Sequence, residues 1–436
     1  MSVATAGTEG NIASGFPAIA GAGRYIAFQS DASNLSPGDT NGYYDIFLRD
    51  RETGTTKRVS LASDGSESTA GVEGSRGPAI SGDARYVAFC SDAPDLVPGD
   101  TNEYDDVFLH DELTGAIERV SVASDESESD DLSQYVSISG DGRYVAFASA
   151  ALNLVPDDGN ECDDIFVRDR QAGTTERVSV ASDGSQSDGP SYFTAISADG
   201  RYVAFASAAS NLVPGDTNAQ DDIFVHDRQT GVTARVSIAS DGGQSDSFSY
   251  APTISANGQY VAFASDSSVL VPGDTNGYVD IFVHDRIAGT TERVSVASDG
   301  SEGNDASYYA TISANGLYVA FDSVASNLVP GDTNELVDIF RHDRYTGTTE
   351  RVSVADDGAQ GNGSSWGPGI SGGGRDVVFD SAASNFVSAD ENDFSDVFVH
   401  TGEWSVFPDV PLNRWANAEI EACYEAGIVG GYSDGL

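Results

Sequence analysis

Lysine is almost missing from this chain: Lys57 is the only one among 436 residues. Lysine and arginine together number 22 against 69 aspartates and glutamates, a formal net charge of −47. A surface this acidic repels the phosphates of nucleic acids and of anionic lipids, which removes nucleic acid as an expected partner. It suits surroundings rich in salt or divalent cations, where screening relieves self-repulsion. Long apolar runs are lacking too. No stretch approaches the roughly 18 residues that a membrane helix needs, so membrane insertion is not expected. No basic-then-apolar leader opens the chain, and the export expected below implies a leader that has been removed or lies outside this sequence. Cysteine is scarce: Cys90, Cys162 and Cys423 stand at unrelated positions without a C-x-x-C pair. This spacing indicates neither a structural zinc site nor a disulfide framework. Idle thiols are expected, with a Cys90–Cys162 bridge the lesser alternative.

What the chain has in abundance is repetition. The phrase Asp-Ile-Phe or Asp-Val-Phe begins at Asp45, Asp106, Asp164, Asp222, Asp280, Asp338 and Asp396; the first interval is 61 residues and the next five are 58. One unit, Ala195 to Ser240, reads AISADGRYVAFASAASNLVPGDTNAQDDIFVHDRQTGVTARVSIAS. It holds four β-like runs, AIS, YVAFAS, DIFVHD and ARVSIAS. An Asp-Gly turn separates the first two, a Thr-Gly turn the last two, and the longer SNLVPGDTN loop the middle pair. Four antiparallel strands at such a period make one blade, and seven units predict an all-β, seven-bladed β-propeller.

The seventh unit supplies only three runs before the pattern stops at Gly402. The opening SVATAGTEGNIAS matches SVASDGSEGNDAS, which follows the fourth run of unit five. The expectation is that residues 2–5, Ser2 to Thr5, complete blade seven as an N-terminal strand, so that the propeller spans 1–403 and leaves no open sheet edge.

The I-S-x-D/N-G-x-Y-V-A-F strand pair and the D-I-F-V-x-D strand resemble the TolB-type, WD-like (PD-repeat) propeller repeats of exported bacterial and archaeal proteins. The resemblance implies the fold but no single function, because such propellers serve as docking platforms, lyases and protease gates alike. The tail, 404–436, resembles the first part of an S-layer homology module. Phe407, Asp409-Val410-Pro411, Trp415, the helix-like IEACYEAGIV and Gly431-Tyr432 carry that likeness. It implies a short α-helical C-terminal appendage that, in complete form, holds a protein to cell-wall polysaccharide. Here the chain stops before the family's charged binding motif.

Each long loop contains Asp-x-Asn-x-x-x-Asp. The sets are Asp39, Asn41, Asp45; Asp100, Asn102, Asp106; Asp158, Asn160, Asp164; and Asp216, Asn218, Asp222. They continue as Asp274, Asn276, Asp280; Asp332, Asn334, Asp338; and Asp390, Asn392, Asp396. Units three and seven change PGDTN to PDDGN and SADEN and still keep all three side chains. Oxygen ligands at alternate positions with a later carboxylate are how calcium loops wrap a hard cation, so calcium is the expected cofactor. Turn chemistry alone is the competing reading, since Asp and Asn bond their own backbone.

The five histidines, His110, His226, His284, His342 and His400, share one repeat position with Arg49 and Arg168. Third strands of neighbouring blades lie about 15 Å apart at the expected strand spacing, too far for one ion. These basic groups are expected to pair with local acids. No G-x-S-x-G elbow or Ser-His-Asp set stands out, so no catalytic residue is nominated and enzymatic activity is not expected. The connections between blades run to aromatics, namely Phe16, Tyr135, Tyr192, Phe248, Tyr308 and Trp366. Strand alternation puts them on the same face as the Asp loops, where they form a candidate ligand face; packing between blades is the alternative.

The function expected from all this is that of a non-catalytic, exported propeller at the extracellular face of the cell envelope. It would present an acidic, calcium-bearing loop face to protein or glycan and be wall-anchored through its tail. The alternatives are a lectin-like polysaccharide-binding propeller, and a polysaccharide lyase or hydrolase working at the channel mouth.

Overall fold

Short runs of β-branched and aromatic residues, punctuated by Asp-Gly and Thr-Gly, give short strands and tight turns. A computed structural model describes residues 1–68, 74–388 and 390–402. In blade one the strands are Ser14–Ile19, Tyr25–Ser30, Asp45–Asp50 and Thr55–Arg58, paired antiparallel in chain order. Blades two to six repeat this four-stranded sheet, and blade seven has three strands, Ser365–Ile370, Asp376–Ser381 and Asp396–Thr401. The chain is therefore all-β with seven blades. The helix expected after residue 404 lies outside the described residues, as does Cys423.

First strands of successive blades touch one another around the ring, which makes them the innermost. The apolar core lies between sheets. Ala27, Ile46 and Leu48 of blade one pack on Val87, Phe89 and Phe108 of blade two. Within each blade the second and third strands bring a phenylalanine pair together, as Phe28 and Phe47 at 5.7 Å between ring centroids. In blades one to six both rings are fully buried, and each contributes about 1.5–3 kcal/mol. Cys90 and Cys162 are both unbridged.

The turns between first and second strands meet at the axis. Gly372 N–H donates to Gly21 O, Gly21 to Gly82 O, Asp83 to Gly140 O and Gly140 to Ala198 O. Ala198 donates to Ala256 O, Ala256 to Ala314 O, and Ala314 returns to Gly372 O. A closed belt of backbone hydrogen bonds thus draws in one end of the channel. Only small residues fit there: a Cβ on Gly21 would stand 3.1 Å from Gly82 O. The opposite mouth, where the first strands begin, has no such belt among the described residues.

The N-terminal segment closes the ring differently from expectation. Residues 2–5 form no strand; Val3 makes an isolated bridge to Glu9. Met1 and Ser2 alone reach the third strand of blade seven, through the Met1 amino group on Val397 O and Ser2 Oγ on Asp396. Val397 N–H donates to Ser2 Oγ at 3.0 Å. The reason is register. Met1-Ser2-Val3 occupy the place of Val59-Ser60-Leu61, which follow the fourth strand of blade one rather than belong to it, and the chain then turns away at Gly7 (φ +82°) as it does at Gly65. Thr5 Oγ1 bonds the backbone of Thr56, so the segment ties blade seven to blade one.

Candidate functional site

Two kinds of site occupy the open face: seven acidic loop clusters, and a ring of side chains around the channel mouth.

The loop clusters are built by three strand ends. The last Asp of each motif opens a third strand and is buried; Asp106, Asp164, Asp222, Asp280 and Asp338 have no exposed surface. It accepts a hydrogen bond from a serine beyond the fourth strand, as from Ser60 to Asp45. An arginine that ends the fourth strand enters the cluster in blades one to six: Arg58, Arg119, Arg177, Arg235, Arg293 and Arg351. Its Nη1 lies 2.7–3.3 Å from Oδ1 of the first Asp. It lies 2.8–3.2 Å from Oδ2 of the last Asp.

The asparagine of each motif turns its amide nitrogen, not its oxygen, toward that last Asp, as Asn41 does at 3.2 Å and Asn276 at 2.9 Å. Its oxygen accepts the backbone N–H two residues on, Tyr43 in blade one and Tyr278 in blade five, closing an Asx turn. So the structure brings all three predicted residues together in every blade. The group that faces both carboxylates in blades one to six is a guanidinium that the sequence reading did not include.

An additional acid joins where the chain supplies one. Asp39, Asp45 and Glu67 bring ligand oxygens within 4.8 Å of one another, as do Asp100, Asp106 and Glu128, and Glu9, Asp390 and Asp396. These three groups could hold a cation. With several carboxylates around one guanidinium, burial dominates the first Asp. It pushes Asp39 up to about 6, with Asp45 adding, and Asp100 up to about 7, with Asp106 adding.

Of the basic groups expected to pair with acids, Arg168 meets Glu126 at 2.5 Å and His110 Nε2 lies 3.8 Å from Glu112, but three other histidines take a hydroxyl. His226, His284 and His342 place Nδ1 2.8, 2.9 and 2.9 Å from the hydroxyl of Thr233, Thr291 and Thr349 on the fourth strand. Arg49 reaches Thr56 in the same way at 2.9 Å. Burial lowers the histidine pKa values, to about 4 for His110 and His284. Neutral imidazoles in a covered strand favour a hydroxyl over an ion pair.

Five of the six aromatics of the predicted ligand face sit at the beginnings of the first strands, and Phe248 stands in the loop just before Ser249. The serines that open these strands, Ser14, Ser75, Ser133, Ser191, Ser249, Ser307 and Ser365, give the register. Each first strand is bulged just after. Phe16, Tyr135 and Phe193 hold positive φ there, which re-aims their side chains. Phe16 is 66%, Tyr309 51% and Trp366 40% exposed, and Tyr135, Phe248 and Tyr308 are exposed too. Tyr135 and Phe193 pack at 4.7 Å and Phe248 and Tyr250 at 6.0 Å between ring centroids. Phe193, Tyr250 and Tyr309, which the sequence reading does not include, stand one or two residues after an opening serine.

The second strands add polarity on one side only. The residue before the last serine is Ala148, Ala206 and Ala264 in blades three to five, but Asp322, Asp380, Gln29 and Cys90 in blades six, seven, one and two. Asp322, 1% exposed, accepts from Tyr309 N–H at 2.9 Å and from Gly367 N–H at 3.4 Å. Asp380 accepts from Phe16 N–H at 3.4 Å, and Gln29 from Gly77 N–H at 3.0 Å. Burial pushes Asp322 up to about 6. Burial, with Asp322 adding, pushes Asp380 up to about 7. The mouth therefore combines exposed aromatic faces with two carboxyl groups whose pKa values burial raises toward neutrality.

Residues 406–436 match the S-layer homology domain. No curated protein matches the chain. Among solved structures it is similar to the β-propeller domain of the Trilobed protease from Pyrococcus furiosus, 12% identical over 91% of this chain and 95% of that one, TM-score 0.54. It is also similar to an oligogalacturonate lyase in complex with manganese, 13% identical over 90% and 91% of the two chains, TM-score 0.56. TolB from Acinetobacter baumannii matches at 15% identity over 87% and 82%, TM-score 0.40. At these identities the first two likenesses speak for the fold alone.

Proposed function

We propose that this chain is a non-catalytic, polysaccharide-binding propeller, held at the cell surface by the S-layer homology segment at 406–436. One observation carries the reading: the channel is drawn in by a backbone belt at one end, while the other mouth displays exposed aromatic faces beside polar groups. Sugar rings stack their C–H faces on such aromatics, and polar groups beside them take the hydroxyls. No helix among the described residues is long and apolar enough to cross a membrane, and the tail supplies a different attachment, cell-wall polysaccharide.

Calcium has no part in this reading for blades one to six, where a guanidinium already faces both aspartates. The test is binding of purified cell-wall and acidic polysaccharides by calorimetry. Tyr309→Ala and Trp366→Ala should each weaken binding about tenfold, the equivalent of one good stacking contact, with the melting temperature unchanged. Equal binding by both variants would sink the proposal.

A second reading, cleavage of the same polymer, has one observation in its favour: the paired high-pKa carboxyls of Asp322 and Asp380 on either side of Gly367. A carboxyl poised near neutrality is the form general acid catalysis uses. Release of new chain ends, lost in Asp380→Asn, would replace the first reading by this one.

A further inference from the structure

The aromatic mouth is not the same all round. In blades three to five the residue before the last serine of the second strand is alanine, and the rings of that sector pack on one another. Tyr135 meets Phe193, Tyr192 meets Phe193 and Phe248 meets Tyr250. In blades six and seven the same position holds Asp322 and Asp380. The exposed rings beside them, Tyr309, Trp366 and Phe16, make no ring contact among the described residues, which leaves their faces free.

Two glycines cut a notch over Asp380. A Cβ on Gly367 would have one neighbour within 4 Å, Oδ1 of Asp380 at 3.1 Å, and a Cβ on Gly15 would stand 3.5 Å from its Cγ. In blades one, three and four the place of Gly367 is taken by Phe16, Tyr135 and Phe193, so the missing side chain is what opens a path to the carboxyl group. Trp366 precedes one glycine and Phe16 follows the other, which gives the notch an aromatic neighbour at each. Asp380 is half-buried and accepts only from Phe16 N–H, while Asp322 accepts from Tyr309 N–H and Gly367 N–H. Among the described residues no arginine, lysine or histidine meets either carboxyl group, unlike the loop aspartates that Arg58 and its equivalents face. A carboxylate framed by aromatic faces and lacking a cation of its own suits an ammonium group, which takes a charge-assisted hydrogen bond from one and a cation–π contact from the other. Calcium, by contrast, asks for six to eight oxygens. No third metal-ligating side chain closes on this pair among the described residues.

We propose that the notch formed by Gly15, Gly367 and Asp380 is a subsite for a primary ammonium group carried on a sugar ring, so that the polysaccharide taken at this mouth is one with free hexosamine amines. The sugar ring stacks on Trp366 while its ammonium group donates to Asp380, and Asp322 adds negative charge behind. The inference rests on the polysaccharide-binding reading and narrows it to one class of sugar. The net charge of −47 points the same way, since it repels a uronate chain and attracts a cationic one. An N-acetyl group in place of the ammonium would remove the charge and fill the notch with a bulkier, neutral amide.

The experiment is calorimetry on the full chain with short oligomers of glucosamine and of N-acetylglucosamine, matched in length, at about 0.15 M salt to screen general attraction. The glucosamine oligomer should bind about tenfold or more tighter. Asp380→Asn should erase that difference and leave the N-acetyl oligomer's affinity as it was. Gly367→Ala, a change to a position that carries larger residues in other blades, should cost the glucosamine oligomer a similar factor, and melting curves on both variants guard against a folding defect. Asp183→Asn, an equal charge change in an exposed turn of blade three, should preserve the difference. Equal affinities for the two oligomers would overturn the ammonium subsite, as would a difference that survives both Asp380→Asn and Gly367→Ala. So would calcium binding that is lost in Asp380→Asn without any preference between the oligomers. In each of those cases, binding of some cell-wall glycan that Trp366→Ala weakens would leave the polysaccharide reading standing. Failure to bind any glycan would remove both.

Discussion

Ser2 stands to Asp396 as Ser60 stands to Asp45: each serine hydroxyl donates to the carboxylate that opens a third strand and accepts the next backbone N–H, from Val397 and Ile46. One pair is separated by 15 residues and the other by 394. The first closes a blade and the second closes the ring. Ser2→Ala leaves a buried carboxylate and a buried N–H short of a partner. It should destabilise the protein by about 1–3 kcal/mol in denaturant melts. Ser60→Ala should cost a similar amount. Deleting Met1 to Thr5 should cost more than either, because the contacts to Thr56 of blade one go too. A deletion as stable as wild type would show that the ring needs no closure here.

The pH dependence of stability should carry the mark of Asp380. Its carboxyl, near 3.8 in an unfolded chain, titrates at about 7 in the folded protein because burial disfavours the charge. Between those values the native state holds more protons than the unfolded state, so stability falls as pH rises from about 4 to 7. Asn at this position can still accept from Phe16 N–H and cannot ionise. Asp380→Asn should therefore gain on wild type as pH rises, by on the order of 1–3 kcal/mol at pH 8. The measurement is the difference in melting free energy between the two proteins across pH 4–8. A flat difference would mean that the carboxyl is not buried as described.

Much of this was readable in the residues. The recurring Asp-Ile-Phe fixed the third strands, and Asp-Gly and Thr-Gly marked the hairpins, because both signals are local. The loop trio was legible in every blade, but the arginine that faces it was not. Arg58 lies 13 residues beyond Asp45, and the same spacing holds through Arg351 after Asp338. That constant offset was in the sequence, yet only pairing of third and fourth strands turns it into a contact. The histidines illustrate the same point, since Thr233 is seven residues beyond His226 and meets it only across the ladder. The aromatic mouth was partly missed for another reason. Bulges and positive φ re-aim residues after the opening serines, and no periodic rule predicts which of two neighbours faces the channel.

Removing an arginine should turn a structural cluster into a cation site. In Arg119→Ala the carboxylates of Asp100, Asp106 and Glu128 remain within 4.8 Å of one another without a counter-charge. Breaking a buried pair on one side typically costs about 3–5 kcal/mol. Calcium can coordinate three such oxygens and restore part of the loss. Thermal melts should show millimolar calcium stabilising Arg119→Ala well beyond sodium at equal ionic strength, and wild type far less. Equal calcium responses in the two proteins would mean that the guanidinium and the ion do not compete for one place.

The backbone belt makes the strongest demand on residue size. Gly21 and Gly372 face each other through a Gly372 N–H bond to Gly21 O at 2.9 Å, and each would carry its Cβ to within 3.1 Å of a neighbouring carbonyl oxygen. An added isopropyl group must push one turn off the axis, and the belt passes the displacement to blades one, two and seven. Gly21→Val should thus cost about 1–3 kcal/mol, the usual penalty for overpacking a tight contact. Ala256→Gly, which leaves the belt's bonds in place, should cost no more than about 1 kcal/mol through backbone entropy. Hydrogen exchange gives the sharper readout. The amides of Gly21, Gly140, Ala198, Ala256, Ala314 and Gly372 should all be protected in wild type. In Gly21→Val those of Gly21 and Gly372 should exchange fastest, with protection rising again on the far side of the ring. Uniform protection in the variant would show that the belt yields without breaking, and that the narrow end of the channel can widen.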